Sequence, residues 1–151
     1  MNNKYQQLAL LQQELRLMHR AAQAVERSWE ACEEIHQTPS YALEEMDCLE
    51  LLSSRFSRLV DFMIQRIFRL IDEIDLEEMG TVRDRIHRAE KKGLIIAADP
   101  FIEARLLRNK IAHEYVEAVM KEIFQEAMRL VPLLLDAVHR VDNYVLRYQL
   151  D

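Results

Sequence analysis

Glycine and proline are nearly absent from this chain, with two of the first and three of the second in 151 residues. Sheet proteins need such residues at their tight turns, so this scarcity argues against a many-stranded fold and for long helices with few connections. Cysteine is equally scarce. Cys32 and Cys48, without further cysteines or closely spaced histidines, cannot build a four-ligand zinc site. Both are expected as small apolar packing residues on separate helices, an incidental disulfide being the minor option. No run of about 18 uncharged apolar residues occurs, so no membrane span is expected. The segment Met1-Asn2-Asn3-Lys4-Tyr5-Gln6-Gln7 has neither the apolar core nor the cleavage site of a secretory leader, which makes the cytoplasm the default location. Also missing are a phosphate-cradling glycine loop, a Gly-x-Ser-x-Gly elbow and a full His-Glu-x-x-His motif, since position 117 is Glu.

What is present is apolar periodicity. Leu8, Leu11, Leu15, Met18, Ala22, Val25, Trp29 and Cys32 recur at alternating steps of three and four and predict a helix from about Tyr5 to His36. Thr38-Pro39-Ser40 breaks it, and either Thr38 or Ser40 can cap the next helix. That helix carries Met46, Leu49, Leu52, Phe56, Leu59, Met63, Ile67, Leu70 and Ile74. Val60 and Ile71 widen the stripe to suit a bundle interior, and Glu77-Glu78-Met79-Gly80 closes it. Two long helices with a short link predict an antiparallel hairpin. A third helix starts at a Thr81–Asp84 capping box and stops at Gly93. A fourth opens at Asp99-Pro100, and a last one spans about Glu117 to Tyr148, kinked or broken at Pro132. The expected architecture is an all-α antiparallel bundle forming one domain over residues 1–151, with two long N-terminal helices and a kinked C-terminal one.

Charge is uneven. The net is −6, yet residues 83–110 hold eight Arg or Lys against four acids, a local surplus of four. Residues 26–50 hold eight acids against Arg27 alone. The basic stretch is compatible with an anionic ligand such as RNA or a nucleotide, although ordinary solvated helices also alternate charge. Three carboxylate-x-x-His pairs (Glu33/His36, Asp84/His87, Asp136/His139) could serve a di-iron bundle only if they pointed inward. They fall beside or opposite the apolar stripes, so no metal and no cofactor is expected. Trp29 lies on the first seam and is read as core.

The most informative string is Arg108-Asn109-Lys110-Ile111-Ala112-His113-Glu114-Tyr115. A guanidinium grips a phosphate oxygen and an imidazole moves a proton, a division of labour suited to phosphodiester chemistry without metal. Five residues on a helix span about 140° of azimuth, so Arg108 and His113 share one cleft only if the helix frays or turns after Ala112.

Arg-x4-His-x-Tyr with Asn after the Arg resembles the signature of the HEPN superfamily, and within it the HepT-like toxins of prokaryotic toxin–antitoxin modules. The resemblance covers most of residues 4–148, with its specificity in 105–116. It implies a metal-independent endoribonuclease acting as a homodimer in which two motifs meet across the interface. Arg108 and His113 would be catalytic and Asn109 a polar support. Tyr115 would be the position that a cognate nucleotidyltransferase antitoxin modifies with AMP to silence the toxin. Arg105, Lys110 and the basic run Arg83, Arg85 and Arg88 would be secondary contacts to RNA. The alternative is a non-catalytic helical subunit that presents a nucleotide or target group to a nucleotidyltransferase. A purely structural dimeric bundle is the third option.

Overall fold

The first apolar seam forms helix α1 (Asn2–Cys32) in the computed structural model, which describes residues 2–35, 40–114 and 117–149. Leu11, Leu15, Met18, Ala22, Val25 and Cys32 are buried, and Leu8 and Trp29 pack half-buried against the core. The second seam is one helical run in three parts: α2 (Leu43–Phe62), a π-helical turn (Met63–Phe68) and α3 (Arg69–Ile74). The two runs are antiparallel. Cys48 meets Cys32, Arg55 donates to the Ala24 carbonyl and Ser28 Oγ, and Arg66 pairs with Glu14, so rising positions on one meet falling positions on the other. Helix α6 (Glu117–Val145) packs on α1 in the same sense, with Trp29 on Met128 and His19 on Asp142. Helices α4 (Val82–Lys92) and α5 (Ala98–His113) complete the molecule, α5 lying against both α2 and α6. The fold is all-α. No helix among the described residues is long and apolar enough to cross a membrane.

Several helix ends differ from the sequence expectation, each for a local reason. Of the two expected caps for α2, Ser40 is not used and Thr38 lies outside the described residues. The cap is Ala42, whose N–H is met by the Glu45 carboxylate at 2.9 Å. Helix α5 begins after Ala97 rather than at Asp99. Pro100 is tolerated in its first turn because the opening N–H groups of a helix have no partner inside it. The Thr81–Asp84 box is as expected, both reciprocal hydrogen bonds measuring 3.0 Å, and Gly93 closes α4 at φ 79°. The second run stops before Glu77. Leu76 takes the left-handed conformation (φ 62°), letting the Glu77 N–H reach the Asp72 carbonyl at 2.9 Å.

Pro132 does not break α6. Proline cannot donate to the carbonyl four residues back, which leaves Met128 C=O without its helical partner. The Trp29 indole N–H donates to that carbonyl at 3.1 Å, across from α1. The orphan acceptor is thereby satisfied, and Pro132 itself faces outward where its ring meets little.

The π-helical turn is also supported from outside, since Arg85 donates to the Ile64 carbonyl at 3.1 Å. Nearby, Lys92 joins three elements. Its side chain is 10% exposed, and its ammonium lies 3.0 Å from Asp72 and 2.8 Å from Asp75. Arg88 adds a 2.7 Å bond to Asp72. Asp75 also accepts from the hydroxyls of Tyr144 and Tyr148 at the end of the chain's last helical segment. Burial raises the Asp75 pKa, but hydrogen bonds from Lys92, Tyr144 and Tyr148 and the Lys92 charge outweigh it, leaving the carboxyl below its ordinary 3.8. Burial likewise acts to lower the Lys92 pKa, and its hydrogen bonds to Asp75 and Asp72 reverse the sign. Elsewhere, the Cys32 and Cys48 sulfurs lie 2.9 Å apart as free thiols, and burial, reinforced by Cys48, pushes Cys32 up to about 12.

Three outcomes follow from these contacts. Leu76→Gly should stabilise the fold by about 0.5–1 kcal/mol in urea unfolding. It removes left-handed strain of roughly 1–2 kcal/mol and restores about 0.5–1 of unfolded-state entropy, with no packing lost at a side chain 89% exposed. Trp29→Phe should cost about 1–3 kcal/mol by orphaning the Met128 carbonyl. In a Pro132→Ala background the cost should fall by about 1 kcal/mol, a coupling that a double-mutant cycle would measure. The third concerns acid. A carboxylate with a depressed folded pKa adds stability that is present above its unfolded value and lost as pH falls through the folded one. Asp75→Asn should therefore be less stable than wild type near neutrality. It should lose less stability than wild type on titration below 3.8, the ordinary value of this carboxyl.

Candidate functional site

Helix α5 carries the Arg-His string on its final two turns. Arg108 is half-buried, 34% of its side chain exposed, and its Nε lies 2.8 Å from the Asp61 carboxylate of α2. Nη1 makes a long contact of 3.4 Å with Asn109 Oδ1. The guanidinium is thus held from one edge, and its terminal nitrogens are the part left for another anion. His113 is the last residue of α5 and is exposed. The helix does not fray after Ala112. It runs through His113 and ends at Glu114, whose backbone is extended (φ −97°, ψ 133°). Arg108 and His113 of one chain therefore stay about 140° apart around the axis. Tyr115 lies outside the described residues.

Beside Arg108 is a cavity of about 480 Å³ between α2, α5 and the start of α6. From α2 come Glu50, Ser53, Ser54 and Ser57. Arg108 and Ile111 of α5 form a second wall, and Met120, Ile123 and Phe124 of α6 close the apolar side. His113 is not part of this lining. Two of the serines differ in satisfaction. Ser53 Oγ donates to the Leu49 carbonyl at 2.9 Å, whereas Ser57 Oγ is sealed from solvent and has no hydrogen-bond partner among the described residues. An unmet buried hydroxyl costs about 1–3 kcal/mol, a cost the fold carries in the wall of this cavity. Glu50 and Glu114 put negative charge on the rim, which leaves Arg108 as the position in the cavity for an anion.

The remaining predicted contacts scatter. Arg105 is half-buried on α5, and Asn109 and Lys110 are exposed on the same helix. Arg83 is exposed on α4. Arg85 and Arg88 are tied into the fold, one by the Ile64 carbonyl, the other by Asp72, Glu77 and the Glu78 carbonyl. Burial, followed by the like charge of Arg69, lowers the Arg85 pKa. None of Arg83, Arg85, Arg88, Arg105 or Lys110 lines the cavity. Among the described residues, no three His, Cys, Asp or Glu side chains gather as metal ligands. Asp84 caps α4 and Asp136 pairs with Arg140 at 2.7 Å, so the carboxylates of two carboxylate-x-x-His pairs have structural partners.

Sequence reasoning missed Asp61 and the serines. Glu50, Ser53, Ser54, Ser57 and Asp61 fall within an arc of about 100° on a helical wheel, flanking the apolar seam of α2. That polar stripe was visible as spacing. Nothing in the sequence tied it to a helix some 50 residues later, where Arg108 receives Asp61. Compared with protein-family models, with curated proteins and with solved structures, the chain finds no match.

Proposed function

We propose that this protein is a metal-independent endoribonuclease of the HEPN, HepT-like kind, a toxin acting as a homodimer. The observation that carries the reading is Arg108: held through Nε by Asp61, half-buried, and placed at a cavity with hydroxyl and apolar walls. A guanidinium fixed on one edge grips a phosphate without losing much further freedom on binding. In the proposed mechanism Arg108 holds the scissile phosphate and stabilises the charge that grows on it. His113 takes the proton from the ribose 2′-hydroxyl as its oxygen attacks phosphorus, and a second proton donor serves the departing 5′-oxygen, leaving a cyclic phosphate. One chain supplies one such imidazole on the far side of α5 from Arg108. A two-fold pair brings two of each, which supports the dimer. Tyr115, two residues beyond His113, is the proposed site of AMP addition by a nucleotidyltransferase antitoxin. The added nucleotide would bring bulk and negative charge into the motif.

The size of the cavity favours a second reading, a non-catalytic subunit that binds a nucleotide for a partner nucleotidyltransferase. The two separate at His113. RNA cleavage by purified protein in EDTA, with intact mass recorded on the same samples, should fall about 10²–10⁴-fold in His113→Ala. It should fall about 10²–10³-fold in Arg108→Ala. Asp61→Ala should weaken cleavage less than either, and Asp61→Asn should lose less still because its amide oxygen still accepts from Nε. Wild type of unmodified mass that leaves RNA intact sinks the nuclease and selects the binding subunit.

A further inference from the structure

We propose that the cavity between α2, α5 and α6 is a nucleobase subsite, taking the base of a ribonucleoside monophosphate whose phosphate sits on Arg108. This rests on reading the site as one for RNA or nucleotides, but not on cleavage. A volume of about 480 Å³ is within the roughly 300–1,000 Å³ of small-molecule sites and too large for a lone anion. Its chemistry is divided as a nucleotide's is. Ile111, Ile123 and Phe124 give an apolar wall for the flat faces of a base. Glu50, exposed at the rim, is an acceptor only, and so meets the donor groups of a base edge, whether exocyclic amine or ring N–H. Charge orders the ligand: Glu50 and Glu114 repel a phosphate, and Arg108 attracts it. The ligand thus enters base first with its phosphate at Arg108.

The test is calorimetric titration of the full chain in EDTA with adenosine, cytidine, guanosine and uridine monophosphates, RNA cleavage being assayed on the same preparations. One saturable site is expected. Arg108→Ala should weaken it roughly ten- to hundredfold, the loss of a charge-assisted contact. Ser54→Trp, at an exposed position of the lining, should block binding while leaving the thermal unfolding curve in place. Binding that Ser54→Trp does not disturb places the ligand elsewhere and overturns the subsite. So does the absence of saturable binding from a wild type that melts cooperatively. Binding without cleavage keeps the subsite and removes the nuclease. Cleavage without mononucleotide binding does the reverse.

Discussion

The ammonium of Lys92, nearly enclosed between Asp72 and Asp75, ties the molecule together at one end. Two carboxylates from the end of the second helical run share one cation from α4. The tyrosines at the end of the last helical segment close on the same Asp75. A buried charge is costly unless it is fully met, and here each is met from elements distant in sequence, so the contact forms only when α3, α4 and the chain's final turns are all in place. The cavity lies further toward the other end of the second run. Ser57 and Asp75 are separated by roughly 25 Å of helix. The clamped end fixes the bundle, and the cavity end is left with an unmet hydroxyl and a half-exposed arginine.

How far the sequence revealed this depended on whether the cause was local. Both heptad seams, the Thr81–Asp84 box and Gly93 were readable because each acts within a few residues. Where the second run ends was legible to within a few residues in Glu77-Glu78-Met79-Gly80, but the turn that ends it was not, because a leucine in a left-handed turn carries no composition signal where glycine would. Of the kink or break expected at Pro132, the break does not occur, and the carbonyl that the proline leaves unpaired is met by an indole more than a hundred positions earlier, an exchange that no local window contains. The basic run 83–92 shows the same limit of scale. Its local surplus takes no account of the acids of 72–77, which lie against Arg88 and Lys92.

For the candidate site, the Arg-His string was legible and its surroundings were not. Arg108 could be picked out from the motif, but the feature that makes it a fixed cation is Asp61, on a helix whose other side is plain bundle core. Helix α2 thus has two uses. Its seam faces α1, and its serine stripe with Glu50 and Asp61 faces the cavity and α5. The heptad pattern shows only the first, because a polar stripe on an amphipathic helix looks the same whether it meets solvent or a partner. The azimuth between Arg108 and His113 also gains meaning only once α5 is known to stay helical through His113.

The tryptophan that satisfies Met128 is the only one in the chain. Indole emission responds to hydrogen bonding and to the polarity around the ring. This ring joins α1 to α6 one helical turn from Phe124, which walls the cavity. The molecule therefore contains its own optical gauge. A shift of α6 against α1 would change the light from a single known position, with no label attached.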